Sequence, residues 1–290
     1  MTTSETVLLD GSMGAELRSR GVHVRDYKSS LWSALACVEA PEAVIQLHRD
    51  YVDAGADIIT VNNYAVTPTL LAREGLESEL EALTLRAVQC AVAARDSAQR
   101  PVRVAGSLAP LNTTFDANLV GDFDRNLAEY RRMATVLSDH VDLYLCETLS
   151  TAEEARAAAV AARESGKPFI VSWTIDREGE RLRGGDSFSA AVRALDGLAP
   201  EALLVNCTSC NAVTAAIPRL RGLTDLPIGA YANPTFDEPA GGEPEYEVAA
   251  PISPQEYARV AQGWVADGAS VVGGCCGTNP EFIAALRRAI

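Results

Sequence analysis

Asp142-Leu143-Tyr144-Leu145-Cys146-Glu147-Thr148, then a helical pattern from Thr151 to Ser165, then Phe169-Ile170-Val171-Ser172-Trp173-Thr174-Ile175: the reading of this stretch decides the fold. Both outer runs are largely apolar without alternation, the pattern of parallel strands buried on two faces. Between them Thr151 and Glu154 have the spacing of a capping box, and Gly166 stands where a helix stops. Strand, helix and strand in this order make a parallel unit with a right-handed crossover.

The same unit recurs in both directions along the chain. Further strand-like runs span Val7 to Ser12, Asp57 to Tyr64, Val102 to Leu108, Ala202 to Cys207, Ile228 to Asn233 and Ser270 to Cys275. Helical patterns span Pro41 to Ala54, Ser78 to Ala98, Asp122 to Ser138, Ser187 to Gly197, Ala212 to Leu220, Pro254 to Asp267 and Pro280 to Ala289. Eight strands and eight helices predict an α/β fold, a single-domain (β/α)8 TIM barrel over residues 1–290, in preference to an open doubly wound sheet.

With 48% hydrophobic and 22% charged residues the chain can bury a large core. The formal charge of −14 argues against a nucleic-acid partner, because phosphates bind clustered Lys and Arg. No run approaches the ~20 apolar residues of a membrane span, and no basic-then-apolar leader opens the chain. A cytoplasmic protein without a membrane partner is therefore predicted. Seven cysteines, an odd number, do not read as a disulfide framework, and in a reducing compartment clustered cysteines more often bind metal or react. No signal of oligomeric state is present.

In a barrel of this kind the functional face lies at the C-terminal ends of the strands. The expected strand ends bring Asp10, Asn62, Asn63, Tyr64, Glu147, Cys207, Asn233, Cys275 and Cys276 to that face, with Gly11 and Asn206 beside them. Three long connections rise from it: Met13 to Ala40, which carries Trp32, then Ala109 to Gly121, and the acidic Pro234 to Pro251, which reads as a flap or a solvated loop. Trp32 either covers a pocket or packs its own loop. His48 reads as a helix-surface residue, and His23 and His140 stand alone.

Gly273-Gly274-Cys275-Cys276-Gly277 sets two adjacent thiols in glycine at the end of the last apolar run. Neighbours on a regular strand face opposite ways, so the two thiols can share an ion only if the backbone turns, which glycine permits. With Cys207 as a third ligand, one corner of a zinc tetrahedron stays open, as in catalytic rather than structural sites. Three other readings stay open: a buried apolar cysteine pair, a closed four-thiolate site that adds Cys210 in a non-catalytic binding module, and a phosphate cradle at Gly273 and Gly274.

Leu8-Leu9-Asp10-Gly11, Ala56-Asp57-Ile58-Ile59-Thr60 with the following Tyr64, Glu147, Asn206-Cys207 and Gly273-Gly274-Cys275-Cys276-Gly277 together closely resemble the homocysteine S-methyltransferase family. The resemblance runs in order over nearly the whole chain and implies a zinc-containing (β/α) barrel. By it, Cys207, Cys275 and Cys276 would hold Zn2+ and act in catalysis, while Asp10 and Glu147 would receive the homocysteine amino group. Backbone amides near Gly11 would take the carboxylate, Tyr64 would approach the metal when substrate is absent, and Asn206 and Asn233 would complete the substrate contacts.

The implied reaction moves a methyl group from a sulfonium donor to L-homocysteine and forms L-methionine. The short chain resembles members that use S-methylmethionine, with S-adenosylmethionine as a poorer donor. Asn62-Asn63 and Ala65-Val66, which flank Tyr64, depart from common family patterns. A different thiol or selenol acceptor stands as the alternative.

Overall fold

The computed structural model describes residues 6–25, 31–112, 115–238 and 251–290. Eight parallel strands line up as β1 (Val7–Leu8), β2 (Ile58–Thr60), β3 (Arg103–Leu108), β4 (Leu143–Leu149), β5 (Phe169–Trp173), β6 (Ala202–Asn206), β7 (Ile228–Ala232) and β8 (Ala269–Gly274). Around them run α1 (Gly14–Ser19), α2 (Ala36–Glu39), α3 (Pro41–Ala54), α4 (Pro68–Arg73), α5 (Leu80–Asp96), α6 (Phe123–Leu137), α7 (Ala152–Glu164), α8 (Phe188–Ala194), α9 (Cys210–Arg221), α10 (Pro254–Ala266) and α11 (Pro280–Ala289). From β2 to β8 each strand pairs with its sequence neighbour, and β1 pairs with β8. A parallel bridge from Leu9 to Ile58 joins the two ends of the sheet, so the predicted (β/α)8 barrel closes.

That last seam is short because β1 has two residues, and side chains reinforce it. Asp57 Oδ2 accepts from Leu8 N at 2.9 Å, and Arg100 Nη1 donates to Asp57 Oδ1 at 3.1 Å. Arg287 of α11 donates to Asp57 Oδ2 at 2.5 Å and to the carbonyl of Gly55, tying the C-terminal helix to the same corner. This corner is the N-terminal rim of the barrel, where such ties serve stability.

The apolar residues sort into two bodies. Leu9, Ile58, Leu143, Leu145, Ile170, Leu204 and Val271 fill the barrel interior, with Tyr231 in the same cluster and Cys275 packed against it. A larger cluster fills the space between strands and helices. All seven residues of β4 are buried, as expected for a strand covered on both sides.

Helix starts follow their capping chemistry. Thr67, Asp122, Thr151, Ser187, Ser209, Ser253 and Asn279 each accept a backbone N–H of the first turn with their side chains. The reciprocal capping box forms at Ser253 and Glu256. At Thr151 the expected box shifts by one residue: Glu154 Oε2 accepts from Ser150 N at 2.8 Å instead of from the cap itself.

Two expectations change at this level. Tyr64 lies four positions beyond the end of β2 at Thr60, in the turn that leads to α4, and not on the strand. His48 is fully buried, because Val44, Leu47, His48 and Tyr51 share the inward face of α3 at helical spacing. Among the described residues no helix is long and apolar enough to cross a membrane. The acidic connection read as a flap falls largely on residues 239–250, outside the described residues.

Candidate active site

At the end of β6 the chain turns sharply. Cys207 adopts φ +54°, a left-handed backbone that residues with side chains seldom take, and its N–H donates to the carbonyl of Tyr231 at 3.2 Å. On the far side of β7, the chain leaves β8 after Gly274 and turns through Gly277, whose φ is +83°. The departure from strand geometry lets Cys275 and Cys276 face the same way. Gly273 and Gly274 contribute differently from the sequence reading: a side chain on them would overlap Leu9 and Thr278, so their smallness is a packing requirement.

The Cys207 and Cys276 sulfurs stand 3.6 Å apart, and all three sulfurs of Cys207, Cys275 and Cys276 lie within 4.8 Å of one another. Three thiolates on a tetrahedral zinc, with bonds of ~2.3 Å, sit roughly 3.8 Å apart, so the donor set and its spacing fit such an ion. The thiols are unequal. Hydrogen bonds from Cys207 and Cys275 hold Cys276 well below the ordinary thiol range, while hydrogen bonding to the other two and burial push Cys207 well above it. Cys210 stands apart: its thiol reaches the carbonyl of Asn233 at 3.5 Å, and it is not part of the three-sulfur group.

A cavity of about 100 Å³ opens over the thiols. Asp10, Gly11, Tyr64, Glu147, Cys207, Cys275 and Cys276 line it, together with Trp32, Thr60, Asn62, Thr148 and Tyr231. Asp10 accepts from Thr60 N at 2.7 Å and from Thr60 Oγ1 at 3.2 Å. Glu147 accepts from Ser107 Oγ at 2.5 Å and from Tyr231 Oη at 3.4 Å. Burial raises both carboxyls to about 7, and the charge of Glu147 adds to the effect on Asp10. Among the described residues neither carboxyl has a cationic side-chain partner in its hydrogen bonds.

Asn206 and Asn233 do not line the cavity. The Asn206 amide is engaged inside the barrel wall: Oδ1 accepts from Thr148 N at 3.0 Å and from Ser172 Oγ at 2.6 Å, and Nδ2 donates to Thr148 Oγ1 at 2.8 Å. It thereby fixes Thr148, which has φ +60°, directly after Glu147. Asn233 holds the neighbouring turn through its backbone, its N–H donating to the carbonyl of Thr208 at 2.8 Å. The backbone amides of Gly274 and Cys275 donate to the carbonyls of Asp10 and Ala232, so the phosphate-cradle reading lacks those donors.

Two site residues, Ser107 and Tyr231, escaped the sequence reading. Ser107 and Tyr231 hold Glu147, and Asn63 clamps Ser107 with bonds of 3.1 and 2.9 Å. Asn62 accepts from Ser33 Oγ at 2.7 Å, fixing the first loop against the cavity wall. In that loop Trp32 meets Tyr64 edge to face, with centroids 6.3 Å apart, and its ring fills the space a side chain at Gly14 would need. Trp32 thus both lines the cavity and packs its loop. The doubled Asn62-Asn63 was the available signal, since two adjacent amides at a strand end seldom lack partners.

The fold and site define a barrel enzyme whose mouth holds three convergent thiols and two buried carboxyls. The family model for homocysteine S-methyltransferase matches residues 7–290. A homocysteine S-methyltransferase of Escherichia coli K12 is 34% identical over 98% of this chain and 94% of its own length, and one from Bacillus subtilis is 29% identical over the same shares. A selenocysteine methyltransferase of Astragalus bisulcatus is 28% identical over 95% of this chain and 90% of its own length. The metallated form of the Escherichia coli homocysteine methyltransferase MmuM superposes with a TM-score of 0.84 at 32% identity, covering 99% of this chain and 97% of that one. The chain belongs to the homocysteine S-methyltransferase family. It is a methyltransferase that acts on homocysteine.

Proposed function

We propose that the protein transfers a methyl group from a sulfonium donor, S-methylmethionine or less efficiently S-adenosylmethionine, to L-homocysteine, with Zn2+ held by Cys207, Cys275 and Cys276. The observation that carries the reading is the convergence of three thiols on one point at the floor of a cavity walled by two buried carboxyls. Bound there, zinc would supply the Lewis acidity that deprotonates an incoming thiol near neutral pH. The substrate sulfur then donates a lone pair to the methyl carbon as the bond from that carbon to the sulfonium breaks, and the electron pair leaves on the neutral sulfide. Charge disappears in this step, which a cavity shielded from water favours.

The protein's own residues orient the acceptor. Asp10 and Glu147 receive the homocysteine ammonium, and the amides near Gly11 suit its carboxylate. Tyr64 and Trp32 present aromatic surface at the same cavity, where a sulfonium can approach the ring faces. Asn206 acts through Thr148 and Asn233 through Thr208, each by backbone positioning. The chain is read as one homocysteine-binding barrel over residues 1–290, cytoplasmic, with methionine as product.

The test is an assay of zinc-loaded protein with homocysteine against S-methylmethionine, S-adenosylmethionine and betaine, measuring methionine. Product from the sulfonium donors is expected, lost on chelation and restored by zinc. Equal turnover with betaine, or turnover unaffected by chelation, would overturn the reading. Selenocysteine in place of homocysteine tests the second acceptor, which the likeness to the Astragalus bisulcatus enzyme favours.

A further inference from the structure

Among the described residues, the most heavily buried charge pair outside the cavity lies behind Cys207. Arg183 Nη2 donates to Glu238 Oε1 at 2.8 Å, with side-chain exposures of 13% and 8%. The same Glu238 oxygen accepts from Thr208 Oγ1 at 2.9 Å. Arg183 Nε reaches Thr174 Oγ1 at 3.3 Å, its guanidinium lies 4.9 Å above the Phe115 ring, and Arg177 Nη2 donates to the Glu238 carbonyl at 2.8 Å. Arg183, Thr208 and Glu238 do not line the cavity. A buried ion pair is weak evidence for stability, since taking two charges out of water offsets their attraction, but it fixes geometry well.

What it fixes is the residue after a proposed metal ligand. Cys207 stands in the left-handed region, and the residue that follows is held at two points: the Thr208 carbonyl by Asn233 N–H at 2.8 Å, the Thr208 hydroxyl by Glu238 at 2.9 Å. Releasing the hydroxyl would free Cys207 to relax toward ordinary backbone and would carry its sulfur away from Cys275 and Cys276. We propose that Thr208, anchored by the buried Arg183–Glu238 pair, is a positioning residue that holds Cys207 in its left-handed turn and so presets the three sulfurs for one ion. The inference rests on the metal reading above. It assigns to the loops after β5 and β7 a role in assembling the metal site.

The experiment compares the full chain with Thr208→Val and Thr208→Ser. Cobalt(II) binding is followed by thiolate-to-cobalt absorption, affinity by competition with a chromophoric chelator, and thermal stability on the metal-free protein. Residues that support metal ligands are commonly worth about 10–100-fold in affinity, so Thr208→Val is expected to bind about tenfold more weakly while Thr208→Ser stays within about twofold of the parent. Should Thr208→Val fail to fold, Glu238→Gln, which keeps an acceptor and weakens the anchor, is expected to shift affinity in the same direction. Thr208→Val, or Glu238→Gln in its place, binding as tightly as the parent, whatever its melting temperature, overturns the inference alone. A parent that binds neither cobalt nor zinc sinks the metal reading and this inference with it.

Discussion

Glu147→Gln is the most informative single change. Asp10 and Glu147 both stand at about 7, raised by burial, so near neutral pH each is only partly ionised. On the proposed reading, a ligand ammonium would bind between them when both are charged. At pH 6 each would be ionised roughly one-tenth of the time and the pair roughly one-hundredth, so affinity should weaken about a hundredfold from pH 8 to pH 6. The sign is set by the direction of the shifts: raised values favour the neutral acids below 7, and amine binding is lost as pH falls. Replacing Glu147 leaves one titrating group, and it also removes the negative charge that helps raise Asp10. In the variant the same pH change should weaken binding tenfold or less, by about one proton instead of two. At pH 8 the lost charge-assisted hydrogen bond should weaken binding by about tenfold to a hundredfold. The assay is calorimetric titration of zinc-loaded protein with L-methionine, whose thioether does not titrate in this range. Affinity that is flat from pH 6 to pH 8 in the parent, or a two-proton dependence that persists in Glu147→Gln, would refute the assignment of the amine to this pair.

His48 offers a pH test of the fold itself. Burial lowers it from 6.5 to about 4, and neither ring nitrogen has a hydrogen-bond partner among the described residues. The unfolded chain takes up the proton first, so stability falls as pH drops from 6.5 toward 4, by about 3 kcal/mol at the lower limit. Denaturant midpoints should move in favour of His48→Leu over the parent as pH falls from 7 to 5; a difference that stays constant with pH counts against the buried neutral ring. At the closing seam, Asp57→Asn should destabilise the barrel by about 1–2 kcal/mol through weakened bonds from Arg100 and Arg287, a value kept small by the partial exposure of all three. Unchanged urea unfolding would show that the seam does not depend on these ties. Cys276→Ala should leave the fold intact and weaken cobalt binding by at least about a hundredfold, since one of three thiolate ligands is gone; retention of stoichiometric binding would argue for a different ligand set.

The barrel was legible because its determinants are local and repeated. Apolar runs such as Leu143 to Cys146 can be buried on both faces only in a covered parallel sheet, and alternation with capped helices leaves few ways to arrange eight of them. Strand limits were less legible. Asp10, Tyr64, Cys207 and Asn233 sit one to four residues past the observed ends, where the chain is already turning away from the sheet, as the φ of +54° at Cys207 shows. His48 misled because its polarity outweighed the inward spacing it shares with Leu47 and Tyr51.

The sequence by itself determined the order of strands and helices, the three cysteines at the ends of two of those strands, and the likeness that joins them to one family. These are properties of short segments, set by periodicity, capping and residue type. Tertiary contacts set the rest: Cys207 takes a left-handed turn, Ser107 reaches Glu147 from the neighbouring β3 and Tyr231 reaches it from β7, three strands away, and Asn206 serves the wall instead of the cavity. Those outcomes depend on which groups meet across 40 to 84 residues of chain. Burial, which shifts Asp10 and Glu147 to about 7, likewise exists only once the barrel has closed around them.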